Sequence, residues 1–387
     1  MDENRQIYDH FRAIGERHAA EVYRCWQARE FPQALWDELG REGVQSVATS
    51  RGQGLEAGAL FLAQVMEGVT YATLDGGFMI SVAVHGVFGL GLIDRCPSET
   101  VRNRYLDRLC SGKEILAFAV TEPHGGTDAL NPSTRVVHCS SDWCTVTGRK
   151  WHITNAPFAA VILALAKDEE GRLVLAIVDR DLEGVSVGPT LAPAGARTSP
   201  VAEIVFEHVR IPADHVFRPV GGVNNALRKV LTAEKILGAY PAIGMMDRVT
   251  AESVAFARSR SGSGQALIRQ QFMQYRLTEM QIAIETIRAF AQRTLERFAR
   301  GEDVTLEAAA LKLQAMRVGV ETGINAIQAC GSYGLQEGSR LPMAMLDGLS
   351  GTIGGGTEEA QRMIIITEMM RRRSRGQPRG EREPSAS

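Results

Sequence analysis

The sequence predicts an α+β fold in three parts: an N-terminal helical domain, a middle β-barrel or sandwich domain, and a C-terminal four-helix bundle. The 387 residues are enough for two or three domains, and 44% hydrophobic with 23% charged residues is ordinary for a globular protein. The spacing of the apolar residues also changes twice along the chain, from helical to strand-like and back to helical. We place these parts at residues 1–112, 113–220 and 221–372, followed by a tail at 373–387.

The N-terminal part is predicted to be helical because apolar residues recur at helical spacing, as in ALWDELGREGV and EAGALFLAQVMEGV. One stretch within it, GGFMISVAVHGVFGLGLI at 76–93, has no formal charge and could be considered as a membrane span. It carries five glycines together with Ser81 and His85, and acidic residues flank it. We therefore interpret it as a buried helix pair of a large globular fold and expect no membrane span.

The middle part consists of short β-branched runs bounded by Gly, Asp and Pro, such as AAVILALAKDEEGRLVLAIVD and VAEIVFEHVRIP. These are typical of strands in a barrel or sandwich, and EEGR at 169–172 is typical of a hairpin turn. Long helical patterns return after residue 220, for example in LEAAALKLQAMRVGVETGINAIQA, and helices of this length pack as a bundle. The tail has almost no apolar residues and is predicted to be disordered.

Composition excludes several classes of function. A formal net charge of −2 gives no reason to expect nucleic acid or an anionic membrane as a partner. The six cysteines are scattered without a CxxC pair, and no histidines cluster at metal-ligand spacing, so we expect reduced thiols and no metal site. The N-terminus, MDENRQIYDHFRAIGERH, lacks the apolar core of a secretory signal, and we expect a cytoplasmic protein.

The segment GTIGGGTEEAQR, at 351–362, carries three successive glycines that have two possible explanations. The glycines could cradle a phosphate, or they could mark a place from which a side chain has been removed. A phosphate there would meet Glu358 and Glu359 at the start of the following helix, and these acids would repel it. The pattern therefore favours a removed side chain.

Five motifs stand at the joints between the predicted parts, and no internal repeat interrupts their order. They are FAVTEPHGGTD at 118–128, GRKWHITNA at 148–156, FEHVRIPADHVF at 206–217, ARSR at 257–260 and QACGSYG at 328–334. In this order they resemble the acyl-CoA dehydrogenase family of flavoproteins, and the resemblance spans about residues 15–370. Each motif alone would be weak, whereas the ordered set is specific.

The resemblance implies that the protein binds FAD, whose ring needs hydrogen-bond donors at its pyrimidine edge and at N5. The residues that it places around the flavin ring are Thr121, Thr127, His152 and Thr154. It places a second group at the pyrophosphate of FAD bound to a neighbouring subunit: Arg260, Gln328, Gly331 and Thr357. A guanidinium suits a pyrophosphate because its planar fork donates two parallel hydrogen bonds. The protein is therefore expected to be a homodimer or homotetramer.

The glycine run bears on the catalytic base, which must remove an α-proton on the side of the substrate opposite the flavin. By the resemblance, Gly355 falls where many family members carry the catalytic Glu of a Y-E-G-T motif. A second branch, which the isovaleryl-CoA and long-chain enzymes resemble, carries the base on another helix in L-x-x-E-R. This sequence reads LTAEKILGAYPAIG at 231–244, with Glu234 and Lys235 in the corresponding places.

The helix itself supports Glu234 independently of the resemblance. On a 3.6-residue period its neighbours are Val230 and Leu231 behind, and Leu237 and Gly238 ahead, and none of these can pair with a carboxylate. An acid that a tertiary partner neutralises would give the same pattern. We predict Glu234 as the base. The residues expected to border the substrate are Thr127, Lys235, Gly238, Tyr240 and Gly355.

The resemblance implies FAD-dependent α,β-dehydrogenation of an acyl thioester, carried on CoA or on an acyl or peptidyl carrier protein, with an electron-transfer flavoprotein as electron acceptor. The 6 Lys and 37 Arg suggest GC-rich coding, which is compatible with bacterial secondary metabolism. Two alternatives remain open at this point. One is a flavin-dependent monooxygenase of the same fold, and the other is a non-catalytic flavoprotein that serves as an interaction subunit.

Overall fold

A computed structural model describes residues 3–126, 128, 130–138 and 140–376. The helices are α1 (Glu3–Ala28), α2 (Gln33–Arg41), α3 (Leu55–Thr73), α4 (Gly77–Ala83), α5 (Gly91–Ile93), α6 (Glu99–Leu109), α7 (Val223–Leu237), α8 (Ala239–Ser259), α9 (Gln271–Ala299), α10 (Thr305–Cys330), α11 (Leu341–Ile353) and α12 (Glu358–Gly376). The strands are β1 (Leu116–Ala119), β2 (Arg135–His138), β3 (Trp143–Thr154), β4 (Val161–Lys167), β5 (Leu173–Asp179), β6 (Val185–Val187), β7 (Val201–Pro212), β8 (Val216–Phe217), β9 (Ser261–Gly262) and β10 (Gln265–Ala266).

The uncharged stretch at 76–93 forms continuous helical turns inside the first part of the fold. α4 leads into a π-helical segment, Val84–Leu90, which leads into α5, and most of its side chains are buried in the largest apolar core. The segment packs on β1 and on α7. The predicted burial and helical character are therefore confirmed, but the segment is one continuous helical stretch and not a pair of helices. Across the described ranges, no helix combines the length and apolar character needed to cross a bilayer.

The middle part is one eight-stranded sheet in the order β6-β7-β3-β2-β4-β5-β8, with β1 pairing in parallel with β4. Strand β4 shows why its sequence reads as a continuous apolar run. Val161, Leu163 and Leu165 pack into the core shared with the helices, whereas the alternate residues Ile162 and Ala164 pack into a second core on the other face. Both faces of this strand are buried, so both sets of side chains are apolar.

The C-terminal part is a helical bundle in which α10 contacts α7, α8, α9, α11 and α12. The boundary between α7 and α8 lies at Gly238, whose amide donates to the Glu234 carbonyl at 2.8 Å. Pro241 lies in the first turn of α8, where a missing amide costs little, and not in the middle of a helix. Helix α12 continues to Gly376, four residues into the segment predicted to be disordered, and the rest of that segment lies outside the described residues.

A fully buried pair of carboxylates joins the three parts. Asp347, from α11, accepts hydrogen bonds from the amides of Gly76 (3.0 Å), Gly77 (3.2 Å) and Ala196 (2.7 Å). Asp75 follows α3 and accepts at Oδ1, but its Oδ2 atom is buried and has no partner within the described chain. Burial and the neighbouring charge of Asp347 raise the Asp75 pKa to about 7. The pair therefore holds one proton up to near-neutral pH, and we assign it to Asp75 because three backbone amides stabilise Asp347 as the anion.

Candidate active site

Glu234 and Gly355 meet although they are far apart in the sequence. Glu234 lies near the end of α7, and Gly355 lies in the loop between α11 and α12. A Cβ atom at Gly355 would lie 2.9 Å from the Glu234 Cδ atom and 3.0 Å from Oε2, closer than a real side chain tolerates. The space that a side chain at 355 would enter is thus filled by the Glu234 carboxylate. This geometry is what the removed-side-chain interpretation of the glycine run requires.

The loop conformation also restricts positions 355 and 356 to glycine. Gly355 has φ +65° and Gly356 has φ +96°, in the left-handed region that L-residues rarely adopt. The first of these values is one that Asn or Asp sometimes adopts, and a Cβ there would also require the Glu234 carboxylate to move. Both the backbone and the neighbouring carboxylate therefore favour glycine at 355.

The Glu234 carboxylate is available to accept a proton. The side chain is half-buried, and its Oε2 atom is buried without a hydrogen-bond partner among the residues that the structure describes. Lys235 does not neutralise it, because the Lys235 ammonium turns back along α7 and donates to the Leu231 carbonyl at 3.0 Å. Burial lowers the pKa of Lys235. A carboxylate with an uncommitted buried oxygen is suited to proton transfer.

Two side chains that sequence reasoning missed hold the glycine loop. Lys312, from α10, donates to the carbonyls of Gly354 and Gly356, the second at 2.7 Å. Gln361, from α12, donates to the Gly356 carbonyl at 3.0 Å. A sequence signal for Lys312 does exist: it is one of only six lysines, and it lies in the apolar run AAALKLQAM. A lysine in such a run is buried at the cost of desolvation and therefore has a specific partner.

The segment with TEPHGG and the segment with KWHIT lie side by side. The Trp151 amide donates to the Thr121 carbonyl at 2.9 Å. Lys150 is fully buried, and its ammonium contacts the Glu122 carboxylate at 2.9 Å and two backbone carbonyls. Burial alone would raise the Glu122 pKa, but hydrogen bonds from Thr134 and Lys150 outweigh it and hold the pKa at about 2. This buried ion pair, which the motifs did not reveal, fixes one segment against the other.

The residues predicted to face a flavin lie at or near the place where the TEPHGG and KWHIT segments meet, which we call the Thr121 edge. The hydroxyls of Thr121 and Thr154 are on half-buried side chains and make no hydrogen bond within the described ranges. A Cβ atom at Gly125 or Gly126 would meet no atom within 4 Å, so the turn leaves open space. His152 is exposed and has φ +53°. Thr127, the remaining predicted residue of this group, lies outside the described residues.

The π-helical segment lies between the Thr121 edge and the helix of Glu234. On one side the Phe88 ring stacks on Phe118 of β1, with centroids 5.7 Å apart and planes at 21°. On the other side, a Cβ atom at Gly91 would lie 3.7 Å from the Val230 side chain of α7, one turn before Glu234. π-Helical turns are frequent at functional sites. The helical path through this segment thus contacts β1 on one side and α7 on the other.

Arg260, Gln328 and Gly331 gather at the other end of α10. The Arg260 guanidinium lies 4.9 Å from the centroid of the Tyr333 ring, which follows Gly331 by two residues. The Gln328 side chain accepts a hydrogen bond from Arg276. Gln328 and Lys312 are sixteen residues apart on α10, a distance of about 24 Å along a helix. The structure thus separates this group from Glu234 in the same chain.

Two predicted residues lie apart from the groups to which we assigned them. Thr357 adjoins Gly356, so it lies at the Glu234 end of α10 and not beside Arg260. Tyr240 is buried in the core, and burial with the charge of Glu67 raises its pKa, which places the ring toward α3. It is six residues beyond Glu234 and therefore points to another face of the helical path. Gly238 does face the bundle side of the site, where a Cβ would lie 3.7 Å from Met316.

Comparison with known proteins agrees with this architecture. Residues 1–113, 117–209 and 221–370 match family models described as the N-terminal, middle and C-terminal domains of acyl-CoA dehydrogenase. The chain is 26% identical over 349 residues to the short-chain-specific acyl-CoA dehydrogenase of Clostridium acetobutylicum, covering 89% of this chain and 92% of that protein.

Two further similarities concern proteins with other descriptions. The chain is 26% identical over 340 residues to an L-prolyl-(peptidyl-carrier protein) dehydrogenase from a Serratia species, covering 87% of this chain and 88% of that protein. A solved structure described as the FAD complex of PigA has a TM-score of 0.90 at 24% identity, covering 96% of this chain and 98% of that chain. At this identity the structural likeness establishes the shared fold.

Proposed function

The chain belongs to the acyl-CoA dehydrogenase family, and we propose that it catalyses the FAD-dependent α,β-dehydrogenation of an acyl thioester with Glu234 as the base. One observation carries the proposal: the Glu234 carboxylate, with a buried and uncommitted oxygen, fills the space beside Gly355. An acid that served only packing or charge balance would have a partner. Glu234 has none among the described residues and lies beside a loop whose backbone favours glycine at 355 and 356.

The residues on the Thr121 edge fit a flavin. Thr121 and Thr154 offer hydroxyls without partners in the described chain, and the turn at Gly125 and Gly126 leaves room for a ring to approach the backbone. Thr127 and His152 complete the proposed ring site. When bound, FAD supplies a two-electron acceptor for the hydride that leaves the β-carbon of the acyl group. The Glu122–Lys150 ion pair contributes by fixing Thr121 against Trp151, which keeps the donors in one arrangement.

Glu234 performs the proton transfer in this proposal. Its carboxylate takes the α-proton as the Cα–H bond breaks, and the electron pair of that bond forms the new Cα–Cβ double bond while the β-hydrogen departs as hydride. The carboxylate is suited to this step because no lysine or arginine among the described residues forms an ion pair with it. The glycine loop allows a substrate chain to approach the carboxylate without a side chain at 355 or 356. Lys235 and Gly238 border the same stretch of α7.

Arg260 and the C-terminal end of α10 support a proposal of subunit sharing. These residues lie at the end of α10 remote from Glu234, and the Arg260 side chain is exposed. We infer that Arg260, Gln328 and Gly331 serve the FAD of a neighbouring subunit in a homodimer or homotetramer. Thr357, which lies beside Gly356, would contact the FAD of its own chain. Electrons would then leave through an electron-transfer flavoprotein.

The thioester carrier is the second part of the proposal. The relatives include one protein named as a short-chain acyl-CoA dehydrogenase and one named as a dehydrogenase of a carrier-bound prolyl group. Both names describe an acyl thioester, and CoA and carrier proteins present the same pantetheine arm. We therefore propose an acyl thioester on either carrier as the substrate class.

Anaerobic flavin reduction tests the proposal directly. The purified protein is mixed with a panel of CoA-bound and carrier-bound thioesters, and bleaching of the flavin absorbance is followed in a single turnover. Glu234→Gln is expected to keep the fold and FAD but to slow reduction about 10²–10⁴-fold. A Glu234→Gln variant that reduces its flavin at the parent rate would show that Glu234 is not the base. Reduction by no thioester, with substrate hydroxylation in the presence of NADPH-reduced flavin and oxygen, would favour a monooxygenase instead.

A further inference from the structure

Lys312 is a buried cation without an ion-pair partner among the described residues. Its side chain belongs to a residue that is 3% exposed, and its ammonium donates only to the carbonyls of Gly354 and Gly356. Desolvation of a lysine costs free energy unless something compensates it. Two carbonyl oxygens compensate part of that cost, and a nearby negative charge would compensate the rest.

An uncommitted carboxylate whose charge attracts this cation is that of Glu234. The charged groups that face Lys312 are Glu234 and Lys235 from α7, and Glu358 from α12, which lines the same small cavity. Glu358 already has two cationic partners, Arg317 at 3.6 Å and Arg362 at 3.0 Å. α11 and the loop present only backbone and uncharged groups to this cavity. The unpaired cation and the unpaired carboxylate therefore lie on two sides of the same glycine loop.

We propose that Lys312 is a positioning residue: its ammonium holds the Gly354–Gly356 loop against the Glu234 carboxylate and supplies the positive field that keeps this carboxylate ready to accept the α-proton. The inference rests on the proposed role of Glu234 as the base. The geometry supports it because the loop carbonyls on either side of Gly355 point to Lys312, while the Gly355 Cα faces the carboxylate. Removal of the ammonium would release the loop and remove the field together.

Burial makes the interaction of Lys312 with the glycine loop sensitive to pH. It lowers the pKa of Lys312 to about 8, against the opposing attraction of Glu234 and with the repulsion of Lys235. Lys312 should therefore lose its proton as the pH rises through about 8, and a neutral amine holds two carbonyls less strongly than an ammonium. Arginine at this position would stay charged throughout.

The experiment measures anaerobic flavin reduction from pH 5 to pH 10 in the FAD-bound parent, Lys312→Met, Lys312→Arg and the control Lys229→Met. Lys229 is an exposed lysine on α7, the helix of Glu234, and pairs with Glu56, so its removal deletes a lysine charge from the same helix without touching the loop. We expect Lys312→Met to reduce flavin at least 10-fold more slowly at pH 7. The parent should lose rate above about pH 8, Lys312→Arg should not, and Lys229→Met should follow the parent.

A double variant separates this inference from the function on which it rests. In a Glu234→Gln background, Lys312→Met should cause no further loss of rate, since Lys312 acts through Glu234. If Glu234→Gln is slow but Lys312→Met matches the parent in rate and pH profile, the inference is wrong and the base assignment stands. If Glu234→Gln is itself as fast as the parent, the base assignment fails. Should Lys312→Met not fold, a parent profile that stays flat to pH 10 would overturn the inference.

Discussion

Moving the acid from Glu234 to position 355 tests whether the two positions reach the same proton. The change is the pair Glu234→Ala with Gly355→Glu. The Glu234 side chain must be shortened first, because a Cβ atom at 355 would lie 2.9 Å from its Cδ atom. A new carboxylate at 355 would then extend ~2.5 Å beyond that Cβ, through the space that the original carboxylate leaves.

The expected changes in rate follow from the loss of a general base, and the expected change in stability follows from the backbone conformation at 355. Glu234→Ala alone should slow flavin reduction about 10²–10⁴-fold, which corresponds to about 2.7–5.4 kcal/mol of barrier. The added Gly355→Glu should recover about 10-fold or more of this loss, because the new carboxylate does not coincide with the old one. Gly355 has φ +65°, so a glutamate there costs about 1–2 kcal/mol of folding free energy. The double variant should therefore be faster than Glu234→Ala but less stable.

The assay is anaerobic single-turnover reduction of bound FAD by the best thioester of the panel, with thermal unfolding measured on the same samples. The matched control is Glu234→Ala with Gly355→Gln, which has the same size and backbone strain but no carboxylate. Equal rates for the Glu and Gln versions, in proteins that keep their FAD, would refute the idea that both positions serve one proton. Altered preference for acyl chain length would accompany success, since the side chain at 355 enters the pocket from the α11–α12 loop and not from α7.

The remaining predictions concern the cofactor and the buried carboxylates. Arg260→Ala should lower the FAD content of every subunit, measured from the flavin absorbance of the purified protein, and a stable FAD-bound monomer in light scattering would contradict subunit sharing. Asp75→Asn should stabilise the protein at pH 8 but not at pH 5. The Asp75 pKa is raised from 3.8 to about 7 in the folded state, so its stabilising effect is complete below about pH 4 and is lost as the pH rises through 7. The gain at pH 8 should be about 1–3 kcal/mol in urea unfolding, and equal pH dependence of parent and variant would contradict the assignment.

The order of helices, sheet and bundle could be predicted because each part has its own apolar spacing. Strand β4 is a clear case, since VILALAK packs into two cores and needs apolar residues at every position. The helical interpretation of 76–93 also depended on local pattern alone. The π-helical turns within it could not be predicted, because a single inserted residue in a helix leaves almost no mark on apolar periodicity.

Residues of the candidate site could be predicted only where they belong to a recognisable motif or where the helical period shows their neighbours. The helical period of α7 showed that Glu234 has no ion-pair partner on its own helix. That Glu234 and Gly355 lie at the same site was predicted from the family resemblance. Tyr240 stays a prediction for the substrate pocket, and the structure shows only that its ring is buried in the core and near the charge of Glu67. Thr357 and Arg260 lie near opposite ends of α10 in one chain, so their predicted common site requires two subunits and stays a prediction.

The role of Lys312 could not be predicted because its partners are backbone carbonyls more than forty residues away, and no periodicity in the sequence reveals such contacts. Side-chain composition nevertheless contained a hint. Of the six lysines in the chain, Lys150, Lys235 and Lys312 are buried. Where arginine is so strongly preferred overall, a retained lysine indicates a place that needs a compact cation on a narrow stem.

Lys150 and Lys312, two of the three buried lysines, differ in what compensates their desolvation, and this difference bears on their roles. Lys150 has a carboxylate at 2.9 Å and two carbonyls, so its charge is neutralised inside the sheet. Lys312 has carbonyls alone, and the negative charge that attracts it is that of the carboxylate that we propose as the base. A purely structural lysine at this place would be better served by a direct ion pair. The charge of Lys312 acts on Glu234 across a loop of glycines and makes no contact with the carboxylate. A base requires this arrangement, because its charge is stabilised while the lone pair that takes the proton stays free.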